Sequence, residues 1–360
     1  MEMKMNLFKK SLTLLLALAL MLSLAGCGQE EEDTAKEPDA PEVEEPTEPE
    51  ETGVVRLAAL KGPTAMGLVK LMSDNDAQFV QMLDSSQPHD FLLNNIYETS
   101  LAAAADEVTP SLIKGDLDMA CVPANLAATL YQKTEGEIVT LAVNTLGVIY
   151  IVENGNAVQS MADLKGKTIV SAGKGSTPEY ALRYLLSENG IDPDADVTID
   201  WKSEHAECVS ALATGSATIA VLPQPFVTVA QGKIDSLRVA LDLTEEWAAL
   251  DNGSALLTGV VVSRKEFVEA NPVTVADFLE DYTASVAWVN DNTADAAQLI
   301  GEYGIVDAAV AEKALPYCNI VCITGEEMQE KLSGYLQVLY DADPASVGGA
   351  LPEADFYYGG

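Results

Sequence analysis

The chain has 360 residues, a formal net charge of −36 and a sequence pI near 4.1. So acidic a chain lacks the basic surface that nucleic-acid binding needs, and anionic lipid headgroups would repel it. With five cysteines, two histidines and no CxxC pair, the composition also argues against a zinc or redox site, and no cofactor or metal is expected.

Residues 1–26 have the pattern of a lipoprotein signal peptide. Three lysines among the first ten residues precede an apolar run, 11–24, that is too short to favour a membrane-spanning helix. Small residues then lead to Cys27, an arrangement that resembles a bacterial lipobox, in which the cysteine becomes the lipidated N-terminus. We therefore expect the mature protein to be tethered to the outer face of the cytoplasmic membrane. The alternative is an ordinary signal peptide with an incidental cysteine.

Residues 27–53 are predicted to form an acidic linker. Between Gly28 and Gly53 there are twelve acidic residues, one lysine, repeated prolines and almost no apolar residues. Such a segment cannot bury enough surface to offset its chain entropy, so we expect it to be disordered. Repulsion between its like charges would extend it as a spacer.

Residues 54–133 are predicted to form a first α/β unit. The pattern favours strands at VVRLAAL, AQFVQML and DMACV, and helices at GPTAMGLVKLM, TPSLIKG and ANLAATLYQK. Thr109 and Pro110 would start the TPSLIKG helix. The apolar run VNTLGVIYIVENG then predicts a buried strand that connects this unit to the next.

Residues 163–241 alternate regularly between strand and helix signals. The predicted strands are TIVS, DVTIDW, TIAVL and SLRVALDL. The first intervening helix has Thr177 as its N-cap and Pro178 at its first position, and the second has Ser203 as its N-cap. Short strand–helix repeats indicate right-handed crossovers and parallel pairing. The apolar run ALLTGVVVSRKEF is similar to the first connecting strand and predicts a second one. Residues 273–339 are predicted to be mostly helical.

Together these patterns predict two α/β lobes joined by two crossing strands. Residues 54–146 and 258–360 would form lobe I, and residues 147–257 would form lobe II. The C-terminal helices would return to lobe I, and about 300 residues suffice for two cores of ordinary size.

Several sequence strings in combination resemble solute-binding proteins of ABC importers. They are LKGPTAMGLVKLM, IKGDLDMACVPANLAATLYQK, MADLKGKTIV, GKGSTPEYALRYLL, AVLPQPF and GGALPEADFYY. The chain most resembles the nitrate, sulfonate and thiamine-precursor binding family, which has the type II periplasmic-binding-protein fold with two parallel-rich sheets. The resemblance implies a monomer that captures a small solute between its lobes and delivers it to permease subunits served by a cytoplasmic ATPase. Anionic and heterocyclic solutes both remain open.

Two glycine-containing loops, one in each predicted lobe, are the first candidates for the solute site. Helix starts expose unpaired N–H groups there, and Gly62 and Gly175 would let a ligand approach closely. The resemblance adds the two strand ends at PAN and PQP. The full candidate set is Lys61, Gly62, Pro63, Thr64, Ala65, Pro123, Asn125, Gly175, Ser176, Thr177, Pro223 and Gln224. The alternative is that Thr64 and Thr177 are only helix caps, and that Lys61 and Lys174 are solvated surface lysines.

Two nucleotide-binding motifs fail on their spacing. The third glycine of a dinucleotide fingerprint that begins at Gly173 would fall on Pro178. The first glycine of a P-loop that ends at residues 166–168 would fall on Met161. Neither motif supports nucleotide chemistry.

No catalytic constellation is evident, and the chain is not expected to be an enzyme. His205 and Cys208 could touch across one helical turn, but no orienting third group accompanies them. Enzymes of the thiamine-pyrimidine type use a tight cysteine cluster, whereas the cysteines here are dispersed. A disulfide between Cys318 and Cys322 stays open, because a turn would allow it and a straight strand would not. A non-transport ligand sensor or surface interaction protein on the same fold is the alternative function.

Overall fold

The structure is a computed structural model that describes residues 53–83 and 93–359. These residues belong to one compact unit. The predicted signal peptide, Cys27, all of the linker except Gly53, and His89 lie outside the described residues. Within the described residues, no helix is both long enough and apolar enough to cross a membrane.

The first of two sheets has six strands drawn from both ends of the described chain. In spatial order they are β11 (Ile320–Ile323), β4 (Ile138–Leu146), β10 (Leu257–Arg264), β3 (Met119–Pro123), β1 (Val54–Leu60) and β2 (Ile96–Ala102). β1 pairs in parallel with β2 and β3. β10 runs antiparallel to β3 and β4, and β11 runs antiparallel to β4.

The second sheet has five strands from the middle of the chain. In spatial order they are β7 (Thr198–Trp201), β6 (Thr168–Ser171), β8 (Ile219–Pro223), β5 (Ile149–Asn154) and β9 (Leu237–Asp242). β6 pairs in parallel with β7 and β8, whereas β5 runs antiparallel to β8 and β9. Both sheets are therefore mixed, because β10 and β5 enter them directly after the chain has crossed between them.

Thirteen α-helices are described, and they cover the two sheets. They are α1 (Pro63–Met66), α2 (Val69–Leu83), α3 (Ala105–Lys114), α4 (Ala124–Lys133), α5 (Thr177–Glu188), α6 (His205–Ala213), α7 (Phe226–Gln231), α8 (Leu243–Ala248), α9 (Lys265–Ala270), α10 (Pro272–Asp291), α11 (Thr293–Glu302), α12 (Ala308–Ala314) and α13 (Gly325–Ala342). Short 3₁₀ helices span Met161–Leu164, Leu315–Tyr317, Pro344–Val347 and Ala354–Phe356.

The predicted strand AQFVQML is wrong, because this segment continues helix α2. Gln78 is 2% exposed whereas Val80 is 66% exposed, so the apolar–polar alternation does not follow an inner face and an outer face of a sheet. Helix α3 also begins at Ala105 rather than at Thr109. The Glu107 carboxylate accepts hydrogen bonds from the main-chain N–H groups of Ala103 and Ala104, which fixes this earlier start.

Two predicted helix caps are displaced by one residue. Ser176 rather than Thr177 is the N-cap of α5, and Glu204 rather than Ser203 is the N-cap of α6. The structure also has elements that the sequence patterns did not predict, among them strands β2 and β11 and helices α8 and α9. The four described cysteines are all free, so Cys318 and Cys322 are not bridged.

The first crossing between the sheets occurs at Gly147 and Val148. The run VNTLGVIYIVENG is therefore two strands in different sheets rather than one connecting strand. A Cβ at Gly147 would collide with the Thr244 hydroxyl, which explains the glycine at this close approach. The return crossing precedes β10, which lies wholly in the six-stranded sheet.

Candidate functional site

The predicted loops lie in two pairs, one pair at an edge of each sheet, because of where their strands end. Parallel strands of a sheet have their carboxyl ends at the same edge, and ligands of α/β proteins bind outside that edge. The loops after β1 and β3 share such an edge in the six-stranded sheet, and those after β6 and β8 share one in the five-stranded sheet. At these edges Pro123 pairs with Gly259 of β10, and Pro223 pairs with Ile149 of β5. Both partners lie near the crossing points.

The loop after β1 leaves open space beside a buried glycine. Gly62 is buried and has φ = +139°, yet no heavy atom lies within 4 Å of the position that a Cβ would occupy, its chain neighbours aside. Its carbonyl accepts from the N–H groups of Ala65 and Met66 and so closes the single turn of α1. Lys61 is exposed and Pro63 is partly exposed.

Thr64 makes hydrogen bonds that hold the loop after β1 in place. Its hydroxyl donates to the Leu60 carbonyl at 2.9 Å, and its main-chain carbonyl accepts from Asn144 Nδ2 at 3.4 Å. Asn144 also contacts Cys121 closely enough to lower its pKa, against the burial that raises that pKa to about 12. Asn144, which the sequence analysis missed, therefore holds the α1 loop against β4.

The loop after β6 carries its own negative charge. Gly175 has φ = +78° and is exposed, and the Ser176 hydroxyl donates to the Gly173 carbonyl at 2.8 Å. The Gly175 N–H donates to Glu179 Oε2 at 2.6 Å. A carboxylate is the group that a helix N-terminus attracts, so Glu179 occupies a place at the start of α5 where an anion would otherwise bind.

Asn125 joins the two sheets' loops directly. Asn125 follows β3 and is 1% exposed, and its Nδ2 donates to the carbonyl of Gly175, which follows β6, at 3.4 Å. The same nitrogen donates to the Ser346 carbonyl at 3.2 Å. Of the four predicted site segments, this contact brings together two, the PAN end and the Gly175 loop.

The start of α5 faces a tyrosine from the C-terminal helix α13. Burial raises the pKa of Tyr335, and the neighbouring Thr177 hydroxyl lowers it, which places the two side chains against each other. Both hydroxyl oxygens are buried; they lie near each other but outside hydrogen-bond geometry, and neither has another partner among the described residues. Tyr335 packs on Trp247 with ring centroids 5.6 Å apart, and Trp247 packs on Tyr184 at 4.8 Å. The sequence analysis missed Tyr335, whose helical spacing looks like that of any core residue.

The loop after β8 is held at the first crossing. The Gln224 N–H donates to the Val148 carbonyl at 3.0 Å, and its side-chain oxygen accepts from the Thr228 hydroxyl at 2.9 Å. The His205 ring packs on Phe226 at 5.2 Å, and burial lowers its pKa to about 4. Burial raises the Cys208 pKa to about 11, so at neutral pH this thiol is protonated and the imidazole is neutral. That arrangement does not support nucleophilic catalysis.

A separate surface cavity of about 340 Å³ lies near the first crossing. Its walls include Leu146, Asn290, Pro316 and Asn319, and none of the predicted site residues lines it. Among the described residues, no group of three or more His, Cys, Asp or Glu side chains is placed to hold a metal ion. The predicted loops, rather than this cavity, carry the buried polar groups.

A family model described as "ABC transporter, phosphonate, periplasmic substrate-binding protein" matches residues 97–284, more than half of the chain. The chain belongs to this family. Its function is therefore that of the extracytoplasmic solute-binding component of an ABC transporter, with a small-molecule solute and permease partners. Among curated proteins, it is 22% identical over 245 residues to YtlA of Bacillus subtilis (strain 168), which is named as a binding protein. That alignment covers 66% of this chain and 71% of YtlA.

Solved structures of other ABC transporter and sulfonate-binding proteins confirm the two-lobed type II fold. An ABC transporter protein from Parabacteroides distasonis has a TM-score of 0.66 at 23% identity and covers 84% of this chain and 98% of that one. The alkanesulfonate-binding protein SsuA from Xanthomonas axonopodis pv. citri, bound to MOPS, has a TM-score of 0.62 at 18% identity. The match covers 84% of this chain and 96% of that one. The aliphatic sulphonate-binding protein SsuA from Escherichia coli has a TM-score of 0.63 at 16% identity. The match covers 82% of this chain and 90% of that one.

Proposed function

We propose that the solute binds between the two sheets, against the loops that follow β1, β3, β6 and β8. The observation that carries this proposal is the contact of Asn125 with Gly175, around which buried polar atoms of Asn125, Thr177 and Tyr335 have no partner among the described residues. Unpaired buried polar groups are costly unless a ligand or water satisfies them. The predicted contacts are Lys61, Gly62, Pro63, Thr64, Ala65, Pro123, Asn125, Gly175, Ser176, Thr177, Pro223 and Gln224.

The lobes would be residues 54–146 with 258–360, and residues 147–257. Leu257 pairs with Leu146 in the six-stranded sheet, so the second boundary would fall one residue earlier. Solute binding would close the lobes, and the permease would recognise the closed form. The crossings at Gly147 and before β10 would act as the hinge.

The mature protein would be a monomer anchored by a lipid on Cys27, with the acidic linker as its spacer. We expect it to have no catalytic activity, and burial, which keeps Cys208 protonated and His205 neutral at neutral pH, disfavours a nucleophile at this pair. Mass spectrometry of the protein from membranes tests the anchor, because lipidation and cleavage at Cys27 change the mass. A Cys27→Ala variant should lose the lipid and leave the membrane fraction.

A thermal-unfolding panel on the full-length protein in mild detergent tests solute binding. The family description names phosphonate and two similar structures are sulfonate-binding proteins, so phosphonates, alkanesulfonates, taurine and nitrate enter first. Neutral amides, nucleobases, thiamine and amino acids complete the panel. A solute at about 100 times its Kd adds about 2.7 kcal/mol, which should raise Tm by several degrees.

Small-angle scattering on the same preparation tests lobe closure. A solute that raises Tm should also reduce the radius of gyration. Failure of every solute to raise Tm, together with native mass spectra that contain only unliganded protein, would contradict a receptor function.

A further inference from the structure

The Asn125 side chain keeps a buried hydrogen-bond acceptor without a partner among the described residues. Its Nδ2 atom already donates to two carbonyls, those of Gly175 at 3.4 Å and Ser346 at 3.2 Å. Turning the amide over would place Oδ1 against both carbonyl oxygens, so these partners determine its orientation. Oδ1 is buried and has no partner among the described residues. A donor on the ligand would satisfy it.

Two unpaired hydroxyls complete the polar cluster of Asn125, Thr177 and Tyr335. Thr177 is 1% exposed and Tyr335 is fully buried, and neither hydroxyl has a described partner. A hydroxyl can donate or accept, so this pair can meet a carbonyl oxygen of a ligand. The cluster therefore combines one obligate acceptor with two adaptable groups.

Among the residues that the structure describes, no arginine is free to balance an anion at this cluster. All four arginines are engaged in ion pairs with carboxylates, in the pairs Arg56–Asp118, Arg183–Asp194, Arg238–Glu153 and Arg264–Asp118. Lys61 and Lys174 are exposed. The Glu179 carboxylate, held by the Gly175 N–H, adds negative charge at the start of α5.

Resting on the proposed function, we propose that the solute presents an uncharged amide-type edge, an N–H beside a carbonyl, to this cluster. The N–H donates to Asn125 Oδ1, and the carbonyl accepts from the Thr177 or Tyr335 hydroxyl. A sulfonate offers no donor to Asn125, and two hydroxyls alone would offset only part of the loss of its hydration. Tyr335 thereby becomes a solute-binding residue supplied by the C-terminal helix.

Isothermal titration of the full-length protein in mild detergent at pH 7 tests this assignment. The neutral probes are uracil, nicotinamide and 2-pyrrolidinone, and the anionic probes are methanesulfonate and methylphosphonate. At least one neutral probe should bind at one per chain and at least tenfold more tightly than either anion. Asn125→Leu should weaken that binding at least tenfold, and Tyr335→Phe severalfold. Asn189→Leu at the end of α5 and Tyr340→Phe on α13 are matched controls that should change it less than twofold.

The outcomes separate this inference from the receptor function. An anion that binds as tightly as the best neutral probe overturns the inference and leaves the receptor function in place. Unchanged neutral-probe affinity in both Tyr335→Phe and Thr177→Val also overturns it. If no probe binds, the amide assignment is wrong, and native mass spectra of the same preparation decide the receptor function. A co-purified solute would keep that function, and unliganded protein alone would count against it.

Discussion

Asn319 and Gly147 are joined at the point where the chain crosses between the two sheets. Asn319 Nδ2 donates to the Gly147 carbonyl at 2.5 Å, and the Asn319 carbonyl accepts from the Leu146 N–H at 3.1 Å. Asn319 adopts φ = +44°, the left-handed region that asparagine and glycine tolerate better than other residues. This exposed residue therefore fixes the crossing through both its backbone conformation and its side chain.

Asn319→Ala should lower the free energy of unfolding by about 1–2 kcal/mol, because it loses both the amide contact and a residue suited to this conformation. Asn319→Gly keeps the conformation and loses only the contact, so its loss should be smaller. Urea unfolding measures both values. Equal losses in the two variants would show that the positive φ contributes nothing.

Gly259→Ala should disturb the loop that follows β1. The added Cβ would lie 2.5 Å from Asn144 Oδ1 and 2.5 Å from Thr64 Cγ2, so both side chains must move. We expect a loss of about 1–3 kcal/mol in unfolding free energy, together with weaker binding of any solute that the thermal panel identifies. Gly232→Ala is the control, since its nearest new contact is an ordinary 3.5 Å. Similar stabilities of the two variants would contradict the packing argument.

Asp118, which directly precedes β3 and pairs with Arg56 of β1 and with Arg264, should make the stability of the protein depend on pH. Burial raises its pKa, but hydrogen bonds from Arg56 and Arg264 outweigh that effect and leave it below the usual 3.8. A lowered carboxyl pKa stabilises the fold above about pH 3.8, and that contribution is lost as pH falls through the folded-state value.

Asp118→Asn should therefore cost about 3 kcal/mol at pH 7, because it leaves two arginines without their buried partner. The difference from wild type should shrink as pH falls below about 4. Urea unfolding between pH 3 and pH 7 measures it, and Asp235→Asn is an exposed control. A difference that is constant over this range would contradict the ion-pair explanation.

The cysteines should react slowly with Ellman's reagent in the folded protein. Burial raises the pKa of Cys121 and Cys318 to about 12 and that of Cys208 to about 11, so few thiolates exist at neutral pH. Cys322 is partly exposed and should react first.

Cys322→Ser should remove the fastest phase, whereas Cys208→Ser should keep it. Unfolding lipid-anchored protein in urea should release four reactive thiols, because the four described cysteines are free. A count of two would mean that Cys318 and Cys322 form a disulfide.

The sequence alone determined many of the local elements and the loops that carry the proposed contacts. TIVS is β6 at the predicted residues, and VVRLAAL is β1, because each is a short apolar run bounded by turn or breaker residues. The loops follow from these strands, since a parallel strand must be followed by a turn into a helix. AQFVQML failed because its alternation fits a strand while its position continues a helix without a breaker.

Only the tertiary structure decided which of those residues meet. Asn125 contacts Gly175 across 50 residues and Ser346 across 221, and no local pattern specifies partners at such separations. Tyr335 lies on the apolar face of α13 like its core neighbours, yet its hydroxyl reaches the start of α5. Whether a helix face packs against lipophilic side chains or against a polar loop depends on what the fold places opposite it. For this protein, many of the elements follow from local periodicity, and the polarity of the site follows from long-range packing.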